Sequence, residues 1–190
     1  MLIYYFIFFL LCLYGFVDNF LQKSLKNLFL ALLIIFLIFF IGTRFAVGGD
    51  YHSYMKYYYT LKLEDSYFTA LFISGGDYLY NLLTVFFAKI GLQITSINFI
   101  CATIFSLGIY IYAINQKYPA LVLIVAFPYL ILVVSMGYTR QATAIGLFLI
   151  ALVALKNKKI IPFFFFIILA SLFHKSAIIL LFFAFLTSKK

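Results

Sequence analysis

The chain has 190 residues, of which 67% are hydrophobic and 10% charged, and its mean hydropathy is +1.16. A soluble domain of this size covers its surface with about a quarter charged residues, so the composition excludes one and points to an all-α, polytopic membrane helix bundle. The net charge of +9 belongs with membrane topology, because Lys and Arg concentrate in cytoplasmic loops, and it gives no ground for a nucleic-acid partner.

A spanning helix needs about 20 apolar residues, with about 17 as a practical minimum. The apolar run 2–17 is the first candidate. It has no basic stretch before it and no small-residue cleavage site after it, so it is expected to stay as a helix. The runs 27–43, 78–90, 97–114, 119–137 and 141–155 follow, with Pro128 at the centre of the fifth and the third rather short. The run 160–186 makes either one tilted helix or two short ones meeting near His174 and Lys175. About seven to eight transmembrane segments result, in a single domain over 1–190 with an external loop or interfacial helix at about 44–77. Cys12 and Cys101 fall in separate apolar runs and read as small hydrophobes.

Positive clusters set the orientation. Lys23 and Lys26, then Lys156, Lys158 and Lys159, then Lys189 and Lys190 are all expected in the cytoplasm. Between Lys26 and Lys156 the chain must cross an even number of times, yet five apolar candidates lie there. One of them must enter and leave on the same side, and 78–90 and the Pro128-broken 119–137 are the suspects. Irregular helices at membrane depth are tolerated where protein buries them. In either case Arg44 and Arg140 lie on the outer side. His174 joins them if 160–173 and 176–186 are separate helices.

The stretch GTRFAVGGDYHSYMKYYY, 42–59, closes the second apolar run. Arg44 there is either an interfacial arginine snorkelling to headgroups or an anion site. For the second reading, its planar fork matches phosphate, Gly48 and Gly49 let backbone approach a ligand, and Asp50 could orient the arginine or act as a base. Tyr51, Tyr54 and the tyrosines after them suit an amphipathic helix on the outer surface, as an aromatic belt or a floor for sugar rings. In GYTRQATAIGLFLIAL, Arg140 and Gln141 open a helix whose Ala142, Ala144 and Gly146 allow close packing. A helix N-terminus favours an anion, and a purely structural arginine there would work against the dipole. In SLFHKSAIILL, His174, Lys175 and Ser176 interrupt an apolar run. They form either a polar helix end or a proton carrier and donor to a leaving phosphate. No metal-ligand spacing, P-loop or nucleophile-elbow motif is present, and the GGD elements at 48–50 and 75–77 are too short to be specific.

Taken in order, GTRFAVGGDYHSYMKYY, GGDYLYNLL, TRQATAIGLFLIAL with a lysine-rich loop after it, and ASLFHKSAIILL resemble the EpsG-like, Wzy-type polysaccharide polymerases of bacterial envelopes. The resemblance runs from about Gly42 to Leu181. It implies a multi-pass glycosyltransferase of the bacterial inner membrane that joins repeat units carried on undecaprenyl pyrophosphate, with no cofactor and no metal. It implies that Arg44 and Arg140 hold pyrophosphate, that His174 assists the acceptor or leaving group, and that Asp50 orders its loop. Gly49, Tyr51, Tyr54, Gln141, Lys175 and Ser176 are the further substrate-binding candidates, and other polysaccharide-assembly membrane proteins are possible partners. Family members run to several hundred residues and about twice as many helices, so the resemblance implies an N-terminal portion or a short form. A lipid-linked sugar flippase and a non-catalytic membrane subunit are the rival readings.

Overall fold

The computed structural model describes residues 2–18, 20–63, 66–72 and 77–187, and among these every regular element is helical. The elements are α1 (Leu2–Asp18), α2 (Lys23–Gly42), α3 (Tyr51–Lys62), α4 (Tyr67–Phe72), α5 (Tyr78–Lys89), α6 (Ile94–Ile114), α7 (Pro119–Ala126), α8 (Thr139–Lys156) and α9 (Ile160–Phe173). A π-helical stretch, Phe127–Ser135, prolongs α7, and a 3-10 helix, Lys175–Thr187, follows α9. Helices α2, α6 and α8 are each long and apolar enough to cross a membrane. Leu2–Asp18, Pro119–Ser135, Ile160–Phe173 and Lys175–Ala184 are shorter apolar helices.

The core is a parallel pair, α6 and α8, in backbone contact. Near their first turns Arg44 bridges Asn98 and Thr139. In the middle, a Cβ on Gly108 would stand 2.1 Å from the Gly146 carbonyl oxygen. At their last turns the Lys156 ammonium donates to the Asn115 carbonyl at 2.5 Å. Small residues make this approach possible, as expected for helices whose association rests on van der Waals packing. Helix α2 packs antiparallel to α6, with Gly42 against Phe99. The α1 helix packs antiparallel to α7 and its extension, with Gly15 against Ile124 and Phe8 stacked on Phe127.

These contacts define two rims. One gathers Asp18, Lys26, Asn115 and Lys156. There Lys26 sits 3.7 Å from buried Asp18 and the Tyr14 hydroxyl donates to the Lys26 carbonyl at 3.2 Å, closing the α1–α2 turn. The other rim holds Arg44, Asn98, Thr139 and Arg140. Both arginines of the chain are on it.

The 119–137 candidate is continuous rather than broken, and it runs from the lysine rim to the arginine rim. Pro128 lacks an N–H and would press on the carbonyl of the preceding turn. It stands second in the π stretch, where the wider turn accommodates it. The 78–90 candidate behaves differently. Helix α5 has 12 residues, about 18 Å at 1.5 Å per residue. Asp77 at its start reaches Arg140, and just past its end the Leu92 carbonyl accepts from the Tyr58 hydroxyl of α3 at 2.6 Å. Both ends therefore lie at the arginine rim, so of the two suspected segments α5 is the one that does not link the rims. Four elements, α2, α6, the extended α7 and α8, then link the two rims between Lys26 and Lys156, which satisfies the parity required by the lysines.

The 160–186 run divides at His174, where extended backbone (φ −150°, ψ 108°) separates α9 from the 3-10 helix. The 3-10 segment returns beside α8, with Phe183 edge-on to Phe148. Its 13 residues cover about 26 Å at roughly 2.0 Å per residue, against about 21 Å for the 14 residues of α9.

Helix α3 is amphipathic: Tyr54, Tyr58 and Leu61 are buried along one face while Lys56, Tyr59 and Lys62 are exposed. The loop leading to it is pinned by Gly48, whose φ of +96° favours glycine. A Cβ there would also meet Gly137 Cα and the Met136 carbonyl oxygen at 2.6 Å. Of the sequence features, Gly75, Gly76, Lys189 and Lys190 lie outside the described residues.

Candidate functional site

Arg44 lies just beyond the last turn of α2 and its guanidinium points inward. Nη1 donates to the Ile41 carbonyl at 3.0 Å, and Nη2 donates to Asn98 Oδ1 at 3.1 Å and Thr139 Oγ1 at 2.5 Å. The residue is 8% exposed, and burial pulls its pKa below the ordinary value. An arginine stays charged even so, and here neutral oxygens replace water around the cation. The gap between Arg44, Cys101, Ser135 and Thr139 has no room for a water molecule.

Arg140 is the second residue of α8 and half-buried. Its Nη1 pairs with Asp77 Oδ2 at 2.6 Å, and its Nε is 3.5 Å from the Tyr54 hydroxyl. The guanidinium carbon stands 5.3 Å from the Tyr54 ring centroid, 5.7 Å from Tyr80 and 5.8 Å from Tyr57. Each ring is within reach of a cation–π attraction. The cage is itself ordered. Tyr80 is 1% exposed, Tyr57 stacks on it with centroids 6.4 Å apart, and the Tyr57 hydroxyl donates to Asn81 Oδ1. A hydroxyl-bearing aromatic wall around a fixed cation suits a polar ligand that also carries C–H surface.

Asp77 joins this cage to the α9 break. Its side chain is 7% exposed. Oδ1 accepts the Lys175 backbone N–H at 3.0 Å and lies 3.8 Å from His174 Nδ1. That ring nitrogen is buried and has no hydrogen-bond partner among the described residues.

Of the residues anticipated from sequence, Arg140, Tyr54, His174 and Lys175 meet in this cluster. Lys175 contributes its backbone N–H, while its side chain is exposed. Arg44 is linked to the cluster through Thr139, the residue before Arg140. The rest stand apart. Gly49 has open space where a side chain would be, and Gln141 and Ser176 are exposed. Tyr51 packs edge-on to Phe45 with centroids 5.8 Å apart. Asp50 precedes α3 and accepts the Tyr54 N–H through its backbone carbonyl at 2.9 Å, without a side-chain cap.

Tyr57 belonged to the tyrosine run read as an aromatic belt or a floor for sugar rings, without being singled out. Asp77, Tyr80, Asn81, Asn98 and Thr139 were not anticipated as site residues. For Asp77 the signal was the second GGD element, passed over as too short. Which tyrosines face one another depends on how α3 folds onto α5, and the sequence does not show that. Among the described residues, no three of His, Cys, Asp and Glu gather as metal ligands would.

A family model described as the EpsG family matches residues 27–190. The match takes in every residue of the cluster and leaves out α1, the turn after it and the first turn of α2. No curated protein and no solved structure matches the chain significantly.

Proposed function

The chain belongs to the EpsG family, and from that premise we propose that it joins lipid-linked oligosaccharide repeat units during synthesis of a bacterial surface polysaccharide. The observation that carries this reading is the Arg140–Asp77–His174 cluster, with its tyrosine wall, on the rim opposite Lys26 and Lys156. With lysine-rich turns held in the cytoplasm, that rim faces outward across the cytoplasmic membrane. A polyprenyl pyrophosphate donor would arrive there from the bilayer.

In the proposed reaction an acceptor sugar hydroxyl attacks the anomeric carbon of the donor. The new C–O bond forms as the bond to the pyrophosphate oxygen breaks. The hydroxyl proton passes to His174, and the charge gathering on pyrophosphate is met by Arg140, whose fork can take two oxygens at once. Tyr54 and Tyr57 offer ring faces to the sugars. Arg44 has a different part. Its bonds to Ile41, Asn98 and Thr139 tie α2, α6 and α8 together and so keep the bundle folded. Asp50 and Gly49 shape the loop above. The bilayer, the polyprenyl-linked oligosaccharide and other assembly proteins of the membrane are the partners in this scheme. A flippase would want charges along a path through both leaflets, and the gathering of both arginines at one rim argues against it.

The test is the polysaccharide chain-length profile of cells carrying Arg140→Ala, with protein level in the membrane measured alongside. Loss of one donor to a developing anion costs about 10²–10³ in rate. Long chains should vanish while single repeat units persist on a protein present at its normal level. An unchanged profile at normal protein level removes the polymerase reading.

A further inference from the structure

Asp77 has more claims on it than it satisfies. Oδ2 is taken by Arg140 at 2.6 Å, Oδ1 by the Lys175 N–H at 3.0 Å, and His174 Nδ1 waits 3.8 Å from the same Oδ1. That last distance is beyond a hydrogen bond. A buried ring nitrogen with no partner among the described residues calls for an explanation, and a carboxylate oxygen has lone pairs enough to accept a second donor. His174 sits at the extended junction between α9 and the 3-10 helix, outside any helical ladder. A small adjustment of Asp77 or of the imidazole would close the gap.

The opposite side of the carboxylate explains why the gap is open. Arg140 engages Asp77 through one nitrogen, Nη1. A phosphate group offers the guanidinium a bidentate match instead, and Arg140 stands in the first turn of α8, where the helix dipole adds to the attraction for an anion. An anion on Arg140 would loosen the bond to Asp77 Oδ2. The carboxylate is buried, and His174 Nδ1, unbonded among the described residues, stands 3.8 Å from its Oδ1.

We propose that Asp77 is an exchangeable counter-ion and the positioning residue of this site, holding Arg140 in the resting protein and passing to His174 Nδ1 when an anion occupies Arg140. The exchange couples the two halves of the cluster. Arrival of the anionic group orients the imidazole, with Nδ1–H donating to Asp77 and Nε2 left for a proton from the acceptor. The imidazole is thus set only when the donor is in place, which protects a loaded lipid from an ill-timed water. This rests on the anion reading of Arg140 given above.

The chain has two histidines and two arginines, so the exchange can be read directly. The protein is prepared in lipid nanodiscs in a His52→Gln background, with ¹⁵N-labelled His and Arg, and titrated with inorganic pyrophosphate. The Arg140 Nε resonance reports anion binding. A downfield, slowly exchanging Nδ1–H proton at His174 reports its bond to Asp77. The proposal expects this proton to appear as the Arg140 resonance shifts, and to be absent in Asp77→Ala, which has no side-chain acceptor, at every pyrophosphate concentration. Arg140→Gln should show it without pyrophosphate, and Asp77→Glu should show it in part. If Arg140 shifts while no such proton appears, or if the proton persists in Asp77→Ala, the exchange is overturned and the anion reading stands. If Arg140 does not respond to pyrophosphate at all, both fall.

Discussion

The two arginines of this chain occupy the same rim and do opposite things. Arg44 gives its hydrogen bonds to Ile41, Asn98 and Thr139, all neutral oxygens, in a space that excludes water. Arg140 keeps one acidic partner, which is shared with a neighbouring histidine junction, and is otherwise surrounded by tyrosine faces. The first arrangement fixes helices α2, α6 and α8 to one another. The second leaves a half-buried cation with a carboxylate partner and ring faces around it, the arrangement on which the proposed exchange rests. Residue type and rim are alike in the two cases, so neither separates a structural arginine from one proposed to bind a ligand. The partners that already hold the guanidinium do.

Substitutions can break or sharpen that comparison. The largest stability effect is expected from Arg44→Met. Two buried side-chain acceptors and a carbonyl would lose their donor, at about 1–3 kcal/mol for each group left unsatisfied. Thermal unfolding in detergent should show a lower midpoint, and the membrane level should fall. Were Arg44→Met as stable as the parent but devoid of long polysaccharide, Arg44 would belong with Arg140 and the contrast would fail. Gly108→Ala comes next. Its Cβ meets backbone, not a movable side chain, and over-packing of this kind costs about 1–3 kcal/mol. The same melt measures it, and Ala at Gly49, where space is open, is the matched control. Tyr57→Leu removes one wall of the cage and should weaken the hold on Arg140 by about 0.5–1 kcal/mol, seen as a modest shortening of chains at normal protein level. Gln141→Ala is expected to be silent, within about ±0.5 kcal/mol, because the side chain is exposed and outside the cluster.

The positions of the apolar helices were legible in the chain because lipid imposes a length and a composition on each span. Single residues also marked His174 as the place where 160–186 would divide if it made two helices rather than one, and Gly146 as a place for close packing. What could not be read was which of the two suspects stays at one rim, 119–137 or 78–90. The composition of 78–90 is that of a short span, and only the contacts of Asp77 with Arg140 and of Tyr58 with Leu92 keep it at one rim. The site divides in the same way. Arg140 and His174 stand out as polar residues in apolar runs. Asp77 stands just before α5, where an acid is unremarkable until Arg140 and Lys175, distant in sequence, close on it. Arg44 was the reverse case. Its sequence setting among glycines and an aspartate suggested an open anion site, yet the chain turns the guanidinium inward, where Asn98 and Thr139, distant in sequence, supply the acceptors.

The most direct measurement sets Arg140→Lys beside Arg44→Lys and reads the polysaccharide chain-length distribution, normalised to the amount of folded protein in the membrane. Both changes keep the charge and remove the planar fork. The account predicts that Arg140→Lys leaves protein abundance near normal and abolishes long chains, while Arg44→Lys lowers abundance and leaves chain length per molecule largely intact. Long chains made normally by Arg140→Lys, or lost in Arg44→Lys at full abundance, would contradict it.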